Sequence, residues 1–338
     1  DWRATSFRDI KLYFSNLDND AATHNMLSSS VHGKSGFPMI FRQLFDSQSS
    51  TYTYLLGCEE TGDAVIIDSV YEQHSRDSAL IRELGLKVRY ALDTHVHADH
   101  VTGAWLMRLA LNAQTVLSAR YGIENVDIPV DHGDVLAFGN CSLTVRATPG
   151  HTSGCVTYVT NQQDMAFTGD CLMIRGAGRT DFQAGDEHVM WTSIQEQIFS
   201  LPEDCLIYPG HDYHGRTVST VIEERKFNPR IGGEAKVEDF VGYMKNLGLP
   251  HPKLINIAVP ANMKGGRPDD DKQPEEPDWG PVTTTFAGIP EIAPDWVARH
   301  IDELYVLDVR SPGEFEGELG HLEGAHLIPL EELRERLN

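Results

Sequence analysis

Residues 94–100 read Thr94-His95-Val96-His97-Ala98-Asp99-His100. Three imidazoles and one carboxylate crowd this stretch, directly after the apolar run at 88–92. That run has the length and composition of a short strand, so the cluster falls where a strand gives way to a loop. Imidazole and carboxylate suit a borderline transition metal such as zinc, iron or manganese. His95 and His97 alternate by two, and Asp99 and His100 follow on the turn, so one loop offers donors in several directions.

Three further segments repeat the theme. Thr148-Pro149-Gly150-His151, Thr168-Gly169-Asp170 and Tyr208-Pro209-Gly210-His211 each follow a short apolar run. Gly or Pro before the donor allows a tight turn there. Four strand ends carrying His or Asp predict one shared rim on which His95, His97, Asp99, His100, His151, Asp170 and His211 converge. Taken as residues alone, this set suits one metal or two.

The chain has 338 residues, 41% of them hydrophobic, enough for a sizeable core. Its formal charge of −22 argues against nucleic acid as a partner, because phosphate binding needs clustered Lys and Arg. No run of about 18 apolar residues suggests a membrane span. The cysteines at 58, 141, 155, 171 and 205 are odd in number and lack a CxxC pair, which fits free thiols in a reducing compartment.

Patterning divides the chain into a polar extension (1–36), a regular α/β region (37–263), a Pro-, Gly- and charge-rich linker (264–281) and a C-terminal piece (282–338). Within the second, strands are expected at 39–44, 51–58, 64–68, 88–92, 115–117, 135–138, 142–147, 155–160, 165–168 and 205–208. Helices are expected at 72–84, 104–111, 187–200, 217–226 and 237–247, so that two helices follow the last donor before the linker. Strand series flanked by helices fit two sheets covered on the outside.

The ordered set HVHADH, PGHT, GD and PGH resembles the metallo-β-lactamase superfamily. The longer stretches VRATPGHTSGCVTYV, MAFTGDCLMIRGAGRTDFQ, CLIYPGHDYHGRTVSTVIEER and IAVPANM resemble its persulfide dioxygenase branch over residues 39–265. The resemblance implies an αββα four-layer sandwich. It implies Fe(II)-dependent oxidation of glutathione persulfide by O2 to sulfite and glutathione, with one iron on His95, His151 and Asp170. His97, Asp99, His100 and His211 would then orient the ligands and water, and Tyr213 would face the substrate. Arg175 and Arg179, and more weakly Lys264 and Arg267, are candidates for glutathione's carboxylates, with pairing to Asp181 or another acid, which would brace the loop, as the slightly favoured alternative for Arg179. The alternative is a zinc enzyme, a dinuclear thioester hydrolase resembling glyoxalase II. Relatives of the dioxygenase kind imply a bacterial cytoplasmic or mitochondrial matrix setting and a homodimer.

Beyond the linker, LDVRSPGEF and GHLEGAHLIPL resemble the N-terminal part of an α/β rhodanese-like domain. Rhodaneses carry sulfur on a later cysteine, and this sequence has none after Cys205. The piece is therefore expected to be incomplete and inactive in sulfur transfer, and the missing initiator Met suggests a fragment of a longer fusion.

Overall fold

The computed structural model describes residues 39–268 and 280–336. The polar extension at 1–36 and most of the linker lie outside them. Backbone contacts divide the described residues into two compact units, one before and one after the linker.

The larger unit holds two six-stranded sheets. The first is ordered β1 (Met39–Asp46), β2 (Thr51–Cys58), β3 (Asp63–Ile67), β4 (Lys87–Leu92), β5 (Gln114–Ser118) and β6 (Ile128–Val130). The second contains β7 (Val135–Phe138), β8 (Cys141–Ala147), β9 (Val156–Thr160), β10 (Met165–Gly169), β11 (Leu206–Pro209) and, at its edge, β12 (Ser219–Thr220). Period-2 alternation sends successive side chains to opposite faces. In β2, Tyr52, Tyr54, Leu56 and Cys58 enter the core between the sheets, while Leu55 faces outward. In β10, Met165 and Phe167 face inward and Ala166 outward. Fully buried Tyr54, Phe138, Tyr158 and Phe167 dominate the inter-sheet layer. Burying each such side chain contributes roughly 1.5–3 kcal/mol.

Helices cover both outer faces. α1 (His74–Glu83) and α2 (Ala104–Leu111) pack on the first sheet through Leu80, Ile81, Ala104 and Met107. On the second sheet lie α3 (Glu187–Ser193), which runs on into a π-helical turn at Ile194–Ile198, then α4 (Val221–Phe227) and α5 (Val237–Lys245). Asp186 caps α3 by accepting from the amides of His188 and Val189 at 2.8 and 2.9 Å. The layers are thus α/β/β/α.

Three local expectations need correction. The helix expected at 217–226 begins only at Val221; Ser219 and Thr220 pair with β11, and the Thr220 hydroxyl caps α4. The three-residue strand β6 went unpredicted because Pro129 interrupts its apolar pattern. A third helix, α6 (Ile255–Asn262), follows the last donor in place of the expected two. Pro260 inside it disguises the helix, since proline ordinarily removes a ladder hydrogen bond.

The ends of the strands position the site. β3 and β4 run parallel, pairing Ile67 with Leu92, so residues 68 and 93 leave the sheet side by side. β10 and β11 are also parallel, pairing Gly169 with Pro209. The amide of Gly210 donates to Gly169 O, and that of Tyr52 to Gly210 O, both at 2.8 Å.

The smaller unit has a β-ribbon, β13 (Thr283–Thr284) with β14 (Pro290–Glu291), then α7 (Pro294–Arg299). β15 (Leu307–Asp308) and β16 (His326–Leu327) pair in parallel across α8 (Pro312–Phe315). Ser311 and Glu314 form a reciprocal capping box at the start of α8. A last helix, α9, spans Leu333–Arg336.

Candidate metal centre

His95, His151 and Asp170 each offer a ligand atom, and these atoms lie within 4.8 Å of one another. All three residues are buried. His95 follows β4, His151 follows β8 and Asp170 directly follows β10, so the strand-end logic of the sequence gathers them from separate strands.

Hydrogen bonds fix which nitrogen each imidazole presents. The Thr94 hydroxyl donates to Asp68 Oδ2 at 2.9 Å, spending its only proton. His95 Nδ1, 2.9 Å from the same hydroxyl oxygen, is therefore the donor of that pair, leaving a lone pair on Nε2. His151 Nδ1 donates to the backbone carbonyl of Arg179 at 2.6 Å, again leaving Nε2 as the lone-pair nitrogen. That Nε2 stands 3.7 Å from Asp170 Oδ2.

Electrostatics favour the ligating protonation states. Burial, reinforced by neighbouring His97, holds His95 well below the usual imidazole range. Burial likewise lowers His151, against the pull of Asp170. For Asp170 burial acts to raise the carboxyl, but His211 overrides it and keeps the group strongly acidic. Two neutral imidazoles and one carboxylate result, a donor set that suits a transition metal.

The remaining members of the predicted set surround these three. His211 Nδ1 lies 2.7 Å from Asp170 Oδ1, and its Nε2 lies 2.9 Å from Asp99 Oδ2. Burial opposes a charge on this ring, yet the two carboxylates hold it protonated well above its ordinary range. His100 Nδ1 reaches the same Asp99 oxygen at 3.1 Å. His97 Nε2 meets Asp68 Oδ1 at 3.1 Å; burial disfavours its charge, but Asp68 raises it to about 9. The side chains of His97, Asp99 and His100 form a second cluster of potential ligands. Two ring nitrogens, His97 Nδ1 and His100 Nε2, are buried without a hydrogen-bond partner. Unpaired nitrogens beside a His/His/Asp set fit a centre that takes an ion and its water.

Tyr213 stands at the rim, 68% exposed, its ring stacked on His211 with centroids 6.1 Å apart. Arg175 and Arg179 are committed internally. Arg175 pairs with the buried Glu224 and also reaches Ser219. Arg179 forms a two-pronged pair with Asp181 at 2.6 and 2.7 Å and donates to the carbonyls of Leu249 and Pro250. Its contribution to the centre is its own carbonyl, the acceptor for His151.

Several supporting residues escaped the sequence reading. Asp68, in a left-handed backbone conformation (φ 52°), accepts from the Thr94 amide, the Thr94 hydroxyl and His97. Thr51, at the start of β2, places its hydroxyl 3.0 Å from His211 Nε2. Tyr121 accepts from the amide of Val96 and hydrogen-bonds the Thr152 hydroxyl, linking two donor loops. An acid directly after an apolar strand was the available signal for Asp68, the same signal that marks Asp170.

A buried His/Asp centre at the strand ends of an αββα sandwich defines a metallo-β-lactamase-type metalloprotein, and the profile of the metallo-beta-lactamase superfamily matches residues 47–211. Mitochondrial persulfide dioxygenase ETHE1 of Mus musculus and that of Homo sapiens are each 53% identical to the chain over 238 residues, covering 70% of it and 92% of their own length. The crystal structure of ETHE1 from Myxococcus xanthus superposes with a TM-score of 0.65 at 48% identity, covering 67% of this chain and 99% of that one. The chain belongs to the persulfide dioxygenase family. It is an oxidoreductase, and this kinship favours persulfide oxidation over the thioester hydrolysis weighed beside it.

Proposed function

We propose that the chain oxidises glutathione persulfide with O2 and water to glutathione and sulfite, using one Fe(II) held by His95, His151 and Asp170. The observation that carries this reading is the convergence of those three ligand atoms within 4.8 Å in a chain of this family. Bound there by His95, His151 and Asp170, iron would supply the electron transfer that O2 chemistry requires.

The chain's own residues do the rest. Thr94 and the Arg179 carbonyl hold the His95 and His151 tautomers. His211 fixes Asp170 through the oxygen that does not face His151. Asp99 and His100 complete that hydrogen-bonded wall, while Asp68 anchors His97. Carboxylate–histidine partners of this kind set ligand orientation and basicity. Tyr213, exposed above His211, is assigned to the persulfide. With Arg175 and Arg179 occupied by Glu224 and Asp181, we assign them to bracing the rim, in place of meeting glutathione's carboxylates.

The setting proposed is a bacterial cytoplasm or a mitochondrial matrix, the latter by analogy with the mitochondrial animal relatives. No helix among the described residues is long and apolar enough to cross a membrane. Residues 282–338 are taken as the opening of a rhodanese-like domain, supported by the parallel β15/β16 pair with α8 between them. The deciding experiment is anaerobic Fe(II) loading followed by metal analysis and O2 uptake with glutathione persulfide, beside a thioester hydrolysis assay. One iron per chain with O2 uptake is expected. Two zinc ions with thioesterase activity and no O2 uptake would overturn the assignment.

A further inference from the structure

Asn262 ends α6 and is buried, 160 residues along the chain from the loop it touches. Its Oδ1 accepts from the amide of Thr102 at 2.9 Å. Its Nδ2 donates to the carbonyls of His97 and His100, both at 2.9 Å. The amide can sit only one way round, because a flip would set its oxygen against two carbonyl oxygens and its NH2 against an N–H. Three of its four hydrogen-bonding positions are thus spent on the backbone of one loop.

That loop needs outside support. Residues 93–101 form neither strand nor helix, so their backbone groups find partners elsewhere. Thr94 N goes to Asp68, Val96 N to Tyr121, and Val96 O takes the side-chain amide of Gln183. From His97 to Thr102 the backbone is held by Asn262 at 97, 100 and 102, and by the Tyr71 amide, which donates to the Val101 carbonyl at 2.9 Å. The chain just beyond it presses on the same place: a Cβ on Gly266, whose φ is +76°, would come within 2.7 Å of Thr102 O.

We infer that Asn262 is a positioning residue for the metal centre, setting the 97–102 backbone so that His97 meets Asp68 and Asp99 meets His211. The inference rests on the reading that the centre binds a metal. It gives α6 a task in this enzyme, namely closing the site from the C-terminal side.

Asn262→Leu keeps the branched shape, with bulkier tips, and removes all three hydrogen bonds. Asn262→Asp keeps the acceptor for Thr102 but turns a carboxylate toward two carbonyls. The test is Co(II) titration of the metal-free full chain, followed by the visible d–d spectrum, with thermal unfolding of the metal-free protein measured in parallel. Both variants should bind Co(II) about 10–100-fold more weakly, with a changed d–d band, and Asp should do no better than Leu. If Asn262→Leu does not fold, Asn262→Asp decides. Affinity within twofold of the parent, or weakened binding with an unchanged band, would overturn the positioning role. A parent chain that binds no Co(II) would overturn the metal reading beneath it, an outcome distinct from equal binding by parent and variants.

Discussion

His211 Nδ1 sits 2.7 Å from Asp170 Oδ1, while the other Asp170 oxygen faces His151 Nε2 at 3.7 Å. One carboxylate thereby serves two partners, a cation on one side and the ligand cluster on the other. The hydrogen bond from His211 is charge-assisted and lies in a buried setting, where such contacts are strong.

Removing that cation should move metal binding along the pH axis. Burial alone would raise Asp170, and His211 is what holds it strongly acidic. In His211→Ala the carboxyl should therefore protonate at a higher pH, so the metal is released earlier on acidification. Affinity at neutral pH should fall about 10–100-fold. Metal content after dialysis from pH 8 to pH 5 measures both effects; an unchanged release midpoint would refute this role of His211.

The three proposed ligands should separate from their neighbours in a single series. His95→Ala, His151→Ala and Asp170→Ala should each lose iron altogether, whereas His97→Ala, whose Nε2 is taken by Asp68, should retain part of it. Iron per chain after anaerobic loading and desalting is the measurement. Equal loss in all four would show that the ion is seated elsewhere in the cluster.

The donor residues were legible because each is a local signal, a His or Asp placed just past an apolar strand. His95, His151 and Asp170 needed no long-range information to be recognised as candidates; two helix-covered sheets followed from the series of short strands with helices around it, and the αββα sandwich from the family resemblance. What stayed hidden was their support. The contacts of Asn262 with His97, and of Thr51 with His211, span 165 and 160 residues, and neither has a local pattern. α6 was masked by Pro260, and β12 by its two-residue length. Arg175 looked free in sequence because Glu224 lies 49 residues away, whereas the Arg179 pair with Asp181, two residues on, was legible and only its reach to the Leu249 carbonyl, 70 residues on, was not.

Gly178 provides a steric test of the same centre. A Cβ there would lie 2.3 Å from Asp170 O and 2.9 Å from His151 Nδ1. Backbone cannot give way as a flexible side-chain tip can, so Gly178→Ala should displace both proposed ligands. A loss of about 1–3 kcal/mol in stability is expected from such overpacking, together with weakened metal binding. Urea unfolding of the metal-free protein and a Co(II) titration check the two parts, and parent-like values in both would exclude the clash.

Away from the centre, Asp77 should shape how stability depends on pH. It is buried in α1; Arg76 reaches its Oδ1 at 2.7 and 2.8 Å, and its Oδ2 has no hydrogen-bond partner. Burial, only partly offset by Arg76, pushes the carboxyl up to about 6. A folded-state value above the unfolded one means the native chain holds the proton more tightly. The resulting stability is fully present below about pH 4 and is lost as pH rises through about 6. The shift corresponds to something on the order of 3 kcal/mol between those limits. Asp77→Asn removes this titration, so its stability relative to the parent should rise between pH 5 and pH 7.5. Urea midpoints of the metal-free proteins at pH 5, 6 and 7.5 measure the difference, and parallel curves for parent and variant would show that Asp77 ionises without cost to the fold.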